Sequence, residues 1–157
     1  FLARNDIPTG WYENFTEIEP ALAYVREKGA PIVVKADGLA AGKGVIVAMT
    51  LTEAEDAIQD MLAGNAFGDA GHRVVIEEFL SGFEVSVLAV FNREHIYPMI
   101  SAKDHKKLLE HDEGPNTGGM GAVAPNPLYT SALEEDFNKH ILQPTLKGLK
   151  ETEADND

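Results

Sequence analysis

A loop containing lysines and glycines lies between two short apolar runs, and this combination could bind phosphate. The runs, at residues 32–34 and 45–47, are β-branched and too short for helices, so they predict two strands. Glycine permits positive φ and close approach of backbone N–H groups to an anion, while lysine supplies positive charge. The residues that could provide these groups are Lys35, Gly38, Gly42, Lys43 and Gly44. The pattern therefore predicts a hairpin that handles nucleotide phosphates.

This hairpin does not match the P-loop, in which four residues separate the glycines and a helix follows Gly-Lys-Ser/Thr. Here three residues separate Gly38 from Gly42, and Gly44 follows Lys43 before the second strand. An ordinary glycine-rich hairpin with solvated lysines is an alternative that the local pattern leaves open. The position of Lys35 at the end of an apolar strand favours phosphate binding, because such a lysine must either reach water or hold an anion.

A second pair of predicted strands, at residues 73–80 and 84–92, is joined by a short connector and could hold a nucleoside. The exposed backbone of the connector could pair with the edge of a flat base, and Phe79 and Leu80 would line an apolar slot. Glu84 would then accept hydrogen bonds from ribose hydroxyls. A plain pair of strands with surface acids is the alternative that these residues leave open.

Composition restricts the classes of protein to which the chain could belong. The 157 residues are 44% hydrophobic, contain no cysteine, and carry a formal charge of −13. Such an acidic balance opposes binding to nucleic acid, and no apolar run is long enough to span a membrane. The absence of cysteine excludes disulfides and thiolate metal sites and is typical of a reducing compartment. We therefore expect a cytoplasmic protein that binds neither nucleic acid nor membrane.

The remaining elements complete an α/β pattern with antiparallel strands. Residues 96–101 predict a further strand, whereas residues 103–127, rich in glycine and proline, predict a long loop, and loops of this length are usually functional or disordered. Pro144 is expected to kink or end the last helix. The capping boxes that predict the three helix starts are Thr16 with Glu19, Thr52 with Glu55, and Ser131 with Glu134.

Longer motifs give the chain a family resemblance. Residues 31–47 and 75–84 have the order of an ATP-grasp nucleotide cleft. Asp-His-Lys-Lys follows at residues 104–107, and Gly-Pro-Asn-Thr-Gly-Gly-Met-Gly-Ala follows at residues 114–122. Together these motifs resemble the central part of the glycinamide ribonucleotide synthetases, also called phosphoribosylamine-glycine ligases, over essentially the whole chain. The first two motifs suit several ATP-grasp enzymes, whereas the Pro-Asn-Thr-Gly-Gly-Met-Gly run singles out this family.

The resemblance implies an ATP-grasp fold, which is α/β with α+β character. Residues 10–74 would form the small lid subdomain with its glycine-rich flap. Residues 1–9 and 75–157 would form part of the larger base subdomain. The family's metal-binding glutamate and asparagine are expected downstream of Asp157, so we expect no metal ligand within this chain and no catalysis by the 157-residue piece alone.

The resemblance also implies which residues contact each ligand. Lys35 and the flap would bind ATP phosphates, the segment from Glu77 would hold adenine, and Glu84 would bind the ribose. The implied ATP-binding residues are Lys35, Gly38, Gly42, Lys43, Gly44, Glu77, Glu78, Phe79, Leu80 and Glu84. The residues implied to face glycine and phosphoribosylamine are Asp104, His105, Lys106, Lys107, Asn116, Thr117, Gly118, Gly119, Met120 and Gly121. From the residues alone, a solvated charge run at 104–107 is the alternative.

Two departures from the family pattern affect these implied roles. Phe83 precedes Glu84 where the family usually has paired glutamates, so one carboxylate is missing. Lys107 stands where an arginine is usual, which removes bidentate recognition of phosphate. The loop also differs from the common pattern at His111. The implied contacts to substrate are therefore less complete than those to ATP.

By the resemblance, the enzyme uses ATP and Mg²⁺ or Mn²⁺ to phosphorylate the carboxylate of glycine. The amine of 5-phosphoribosylamine then attacks this glycyl phosphate, giving glycinamide ribonucleotide, ADP and phosphate, an early step of purine synthesis. Glycine, 5-phosphoribosylamine and ATP would be its small-molecule partners. Two other interpretations stay open: another ATP-grasp carboxylate-amine ligase, or a non-catalytic ATP-binding module.

Overall fold

The computed structural model describes residues 1–38, 44–64, 72–92 and 94–154 of the chain. Gly42 and Lys43 of the predicted flap lie outside the described residues, and so does the side chain of Asn116. Contacts divide the chain into two compact units. The unit called here the sheet unit consists of Gly10–Gly82 with Asn116–Gly118, and the terminal unit consists of Phe1–Thr9, Phe83–Pro115 and Gly119–Asp157.

The sheet unit combines a four-stranded antiparallel sheet with two helices. Its elements are β1 (Tyr12–Phe15), α1 (Ile18–Lys28), β2 (Ile32–Ala36), β3 (Val45–Ala48), α2 (Leu51–Leu62) and β4 (Val74–Glu78). The strands lie in the order β1-β4-β2-β3. The predicted hairpin strands are confirmed, and β2 and β3 pair antiparallel with Lys35 opposite Val45.

One apolar core holds the sheet unit together. Alternation along the strands places Ile32 and Val34 of β2 and Ile76 of β4 on one face, and all three are fully buried. The helices cover this face with one stripe each, and burial of each such side chain stabilises the fold by about 1.5–3 kcal/mol. The core residues are Ala21, Leu22, Val25, Ile32, Val34, Ala48, Ala54, Ala57, Ile58, Met61, Val74 and Ile76.

The start of α2 differs from the prediction by two residues. Thr50 caps the helix, since its hydroxyl accepts a hydrogen bond from Glu53 N at 3.3 Å while Glu53 Oε2 accepts one from Thr50 N at 3.1 Å. The predicted box of Thr52 and Glu55 was wrong. Glu55 instead pairs with Arg26 of α1, with Nε and Oε1 2.6 Å apart. Two overlapping Thr-x-x-Glu patterns occur here, and the first directly follows β3.

The start of α1 also differs from its predicted cap. Thr16 and Glu19 do not form a capping box, because the helix is preceded by Glu17 as N-cap, without a side-chain capping bond. Pro20 lies in the first turn, where its missing N–H costs no intrahelical hydrogen bond. Gly29 ends the helix with φ 82°, a conformation that glycine adopts readily.

The terminal unit contains two small antiparallel sheets and a long interrupted helix. Its elements are β5 (Ala89–Phe91), β6 (Ile96–Pro98), β7 (Lys103–Leu109), β8 (Glu113–Val123, except residues 116–118, which are assigned to the sheet unit), α3 (Ser131–Phe137), a π-helical turn (Asn138–Leu142) and α4 (Gln143–Ala154). β5 pairs with β6, and β7 pairs with β8. Among the described residues, no helix is both long and apolar enough to cross a membrane.

Three sequence predictions for the terminal unit were wrong. The strand expected at residues 84–92 is limited to Ala89–Phe91, with one isolated bridge from Ser86 to Ala102. Most of the expected loop at residues 103–127 is the β7–β8 hairpin, whose strands are joined by a short turn at Glu110–Asp112 in which His111 has a positive φ of 60°. The last helix is capped by Thr130 instead of Ser131, because the Thr130 hydroxyl accepts a hydrogen bond from Leu133 N. The π-helical turn interrupts the α-helix directly before Gln143 and Pro144, and the kink expected at Pro144 stays a prediction.

The long segment of the sheet unit runs from Gly10 to Gly82, and β4 belongs to its sheet because it pairs with both β1 and β2. The lid at residues 10–74 and the base at residues 1–9 and 75–157 stay predictions.

Candidate functional site

The face of the four-stranded sheet opposite the core carries the first group of candidate residues. We call it the open face, because its side chains are half-buried or exposed. Its residues are Tyr12 and Asn14 of β1, Val75 and Glu77 of β4, Val33 and Lys35 of β2, and Val45 and Val47 of β3. The valines form an apolar surface around one acid and one base. This combination suits a ligand with a flat apolar part and an anionic part.

Lys35 and Glu77 form an ion pair at the centre of the open face. The register places Lys35 opposite Val75 and Glu77 opposite Val33, so the two charged side chains are diagonal neighbours on adjacent strands. Their side chains are 37% and 32% exposed, so the pair lies within reach of a ligand from solvent. A phosphate group could accept hydrogen bonds from the same ammonium that Glu77 now holds.

Glu78 does not share the open face with Glu77. Successive side chains of a strand point to opposite faces, and Glu78 is opposite Ile32, whose side chain lies in the core. The carboxylate of Glu78 accepts a hydrogen bond from Trp11 N at 3.1 Å. The structure therefore brings only the first glutamate of the predicted adenine segment beside Lys35.

The two residues after β4 differ in exposure. Phe79 is half-buried, whereas the Leu80 side chain is 68% exposed. Neither residue belongs to a strand, so their backbone groups lie beyond the end of the β4 ladder. This placement agrees with a connector whose backbone could pair with the edge of a base.

The base of the predicted flap is fixed by contacts that the sequence analysis missed. Ala36 N donates to Gly44 O at 2.8 Å, which closes the β2–β3 pair. Asp37 N donates to Arg73 O at 2.9 Å, and Arg73 Nε donates to Asp37 Oδ2 at 2.7 Å. Gly38, which follows, is exposed. No local pattern could have found the Asp37–Arg73 pair, because 36 residues separate its members.

The terminal unit holds the remaining candidates, beginning with Glu84. Its side chain is 77% exposed, and Lys106 Nζ lies 3.7 Å from Glu84 Oε2 and 3.8 Å from Asp104 Oδ2. The structure thus gathers one residue implied to bind ribose and two implied to face the other substrates. Asn126, a buried residue that the sequence analysis missed, donates from Nδ2 to Glu84 O at 3.1 Å and so holds the Glu84 backbone.

The basic run at the start of β7 is divided by strand alternation. Lys103, His105 and Lys107 alternate with Asp104 and Lys106 along the strand. A depression of about 530 Å³ is lined by Lys103, His105, Lys107, Leu108, Leu109, Glu110, His111 and Met120. Its basic groups could attract an anion such as a sugar phosphate.

The glycines of β8 leave parts of the second strand of this hairpin without side chains. A Cβ at Gly119 would lie 3.6 Å from Asp104 Oδ1, so the missing side chain leaves room for that carboxylate. Gly118 and Gly121 are exposed, and a Cβ at either position would meet no atom within 4 Å. Thr117 is half-buried and Met120 is 62% exposed. The described part of the β7–β8 hairpin therefore offers a backbone surface that a ligand could approach closely.

The described residues contain no group of three or more His, Asp or Glu side chains placed to hold a metal ion. The acids and imidazoles of the described residues therefore do not form a metal centre by themselves.

Comparison with known proteins shows what the chain resembles. The family model described as "Phosphoribosylglycinamide synthetase, ATP-grasp (A) domain" matches residues 1–156. Phosphoribosylamine–glycine ligase of Escherichia coli strain K12 is 64% identical over 149 residues, and that of Vibrio parahaemolyticus is 65% identical over 149 residues. The alignments cover 95% of this chain but only 35% of either relative, so the chain spans about a third of their length.

Solved structures give the same result at the level of the fold. The crystal structure of phosphoribosylamine–glycine ligase from Thermotoga maritima superposes with a TM-score of 0.82 and 32% identity, covering 96% of this chain and 38% of that one. D-alanyl-alanine synthetase A from Vibrio cholerae has a TM-score of 0.60 at 19% identity, covering 93% of this chain and 45% of that one, which shows the fold alone. The predicted ATP-grasp fold is confirmed.

Proposed function

Because this chain belongs to the phosphoribosylglycinamide synthetase ATP-grasp (A) domain family, we propose that its parent protein is an ATP-dependent ligase acting on glycine and 5-phosphoribosylamine. The products are glycinamide ribonucleotide, ADP and phosphate, as a step of purine biosynthesis in the cytoplasm. This chain corresponds to 35% of its curated relatives, so it supplies part of the catalytic machinery and is inactive alone.

The observation that carries the proposal is the Lys35–Glu77 pair among the valines of the open face. The ammonium of Lys35 binds ATP phosphates, because a compact positive charge favours phosphate oxygens. Glu77, released from Lys35, accepts a hydrogen bond from the adenine amino group. The backbone of Phe79 and Leu80 pairs with the edge of the base, and Gly38, Gly42, Lys43 and Gly44 belong to the flap that covers the phosphates.

Residues of the terminal unit act on the sugar and the other substrates. Glu84 accepts hydrogen bonds from the ribose hydroxyls of ATP, with its backbone held by Asn126. The basic groups of β7 bind the phosphate of phosphoribosylamine, as opposite charge attracts it to an otherwise acidic chain. The residues assigned to glycine and phosphoribosylamine are Asp104, His105, Lys106, Lys107, Asn116, Thr117, Gly118, Gly119, Met120 and Gly121.

The proposed reaction consists of two nucleophilic displacements. A carboxylate oxygen of glycine attacks the γ-phosphorus of ATP, and the bond to the β-phosphate oxygen breaks to release ADP. The amine nitrogen of phosphoribosylamine then attacks the glycyl carbonyl carbon, and phosphate leaves with the former carboxylate oxygen as the amine loses a proton. The protein contributes positioning and fixed positive charge to these steps. Mg²⁺ bound to ATP would lower the repulsion between its phosphates.

The test is ADP release by the full-length parent, supplied with Mg²⁺ and phosphoribosylamine, with glycine present or omitted. We expect ADP release to require glycine and to match glycinamide ribonucleotide formation one to one. ADP release that is unchanged by omitting glycine would overturn the proposal. Strict dependence on a different carboxylic acid would instead indicate another carboxylate-amine ligase.

A further inference from the structure

Glu78 makes a contact that neither the core nor the proposed nucleotide contacts explain. At the end of β4, Glu78 N donates to Trp11 O at 2.9 Å, as expected for the next pair of the β1–β4 ladder. The reciprocal donor, Trp11 N, bonds to the Glu78 side chain at Oε2 instead of to its backbone, at 3.1 Å. One residue therefore holds both backbone polar groups of Trp11.

Gly10 makes this arrangement sterically possible. A Cβ built at Gly10 would lie 3.4 Å from Glu78 Cβ, 3.6 Å from Glu78 Oε2 and 3.6 Å from Leu80 Cδ1. An alanine therefore just fits, whereas a branched side chain would displace the carboxylate or the leucine. The backbone of Gly10 and Trp11 thus packs directly against the segment that contains Glu78 and Leu80.

The contact between Glu78 and Trp11 lies next to the predicted adenine segment. Gly10 is the first residue of the sheet unit, and Gly82 ends its long segment. The Glu78–Trp11 contact joins the first residues of the unit to the residues directly before Phe79 and Leu80. Those two residues lie beyond the β4 ladder and lack its support.

We propose that Glu78 is a positioning residue, whose carboxylate clamps Trp11 N and thereby fixes the Phe79–Leu80 backbone that binds the adenine edge. This proposal rests on the proposed function for its nucleotide and assigns to Glu78 a role different from the direct adenine contact that the sequence implies. Glu77 keeps the direct contact, because it alone shares the open face with Lys35.

Kinetics of the full-length parent distinguish positioning from direct contact. Glu78→Ala removes the acceptor, and we expect the KM for ATP to rise about 3- to 10-fold, the effect of one lost hydrogen bond, with kcat within about twofold. Glu78→Gln keeps an acceptor oxygen and should restore the KM to within about twofold. Glu19→Ala, an exposed glutamate in α1, is the matched control and should change neither value.

The choice of nucleotide supplies the decisive comparison. Purine riboside triphosphate lacks the adenine amino group but keeps N1 as an acceptor for a backbone N–H, so a residue that contacts the amino group directly discriminates between the two nucleotides. A positioning role predicts that Glu78→Ala lowers kcat/KM for purine riboside triphosphate as well as for ATP. A loss confined to ATP would overturn the proposal and restore the direct contact.

Hydrogen exchange tests the clamp independently of catalysis. In the full-length parent, Glu78→Ala should speed exchange of the Trp11 amide at least tenfold, while Glu78→Gln and Glu19→Ala leave it near the wild-type rate. Gly10→Val should speed it as well, because its side chain displaces the carboxylate. Unchanged Trp11 exchange in both Glu78→Ala and Gly10→Val would overturn the clamp. Glycine-independent ADP release with the expected exchange pattern would overturn only the proposed ligase function.

Discussion

Lys35 and Glu77 lie diagonally across adjacent antiparallel strands and form an ion pair on the face of the sheet that the helices leave open. Both side chains are about one third exposed, so the pair is too solvated to contribute much to stability. The ion pair could serve ligand binding or folding, and its small contribution to stability is consistent with the ligand binding proposed above.

The first prediction separates these two explanations by substitution of Lys35. Lys35→Gln should lower kcat/KM for ATP in the full-length parent by roughly 10- to 150-fold, the effect of losing a hydrogen bond to a charged group. It should change the free energy of unfolding by less than about 1 kcal/mol, as expected for an exposed ion pair. Steady-state kinetics and urea unfolding measure the two quantities.

The control is Lys147→Gln, since Lys147 is 76% exposed and pairs only loosely with Glu151, at 3.9 Å. It should alter neither quantity. If Lys35→Gln instead unfolds the sheet unit while leaving kcat/KM near wild type, Lys35 serves the fold and not the nucleotide.

The core of the sheet unit depends on Ile58. Its side chain is fully buried in α2, so Ile58→Ala should lower the free energy of unfolding by about 2–5 kcal/mol through lost burial and a cavity. Ile46, in β3, is 37% exposed and offers a matched substitution whose cost should stay below about 1 kcal/mol. Urea unfolding of the 157-residue chain measures both. Equal losses for the two variants would contradict the position assigned to the core.

The capping box of α2 can be tested with two threonines of the same helix end. Thr50→Ala removes the acceptor for Glu53 N and should cost about 1 kcal/mol of stability. Thr52→Ala is the control, because Thr52 is exposed and lies inside the helix, where alanine is the better helix former. A larger loss at Thr52 than at Thr50 would show that the helix begins two residues later, where the sequence analysis placed it.

Tyr24 should make the stability of the sheet unit sensitive to alkaline pH. Its pKa is raised above 10.0, mainly by burial and further by the carboxylates of Glu13 and Glu27. The folded state therefore keeps the phenolic proton longer than the unfolded state, so stability is retained below about pH 10 and falls as pH rises through the raised pKa. Tyr24→Phe should flatten this decline in urea unfolding between pH 9 and 11. Identical slopes for the two proteins would contradict a raised pKa.

The sequence predicted the sheet unit well where local patterns determine the structure. The β-branched runs around Lys35 and the glycine loop specify β2 and β3 directly. The helix caps were less predictable. Thr50 and Thr52 both begin a Thr-x-x-Glu pattern, and packing against β3 and α1 decides between them.

The parts that could not be predicted depend on contacts between distant residues. Asp37 meets Arg73, and Trp11 meets Glu78, across 36 and 67 residues. Glu77 and Glu78 are adjacent glutamates with no difference in local pattern, yet their side chains lie on opposite faces of the sheet because β4 pairs with β2 as a strand. The β7–β8 hairpin was missed because its glycines predict a loop, whereas they lie within β8 and the turn is formed by Glu110–Asp112.

The measurement that tests the central claim most directly follows the carboxylate oxygen of glycine. Full-length parent protein is given ATP, Mg²⁺, phosphoribosylamine and glycine labelled with ¹⁸O in its carboxylate, and the released phosphate is analysed by mass spectrometry. Formation of a glycyl phosphate predicts the transfer of one labelled oxygen to phosphate in each turnover. Phosphate that contains no ¹⁸O, released while glycine is consumed, would contradict the account.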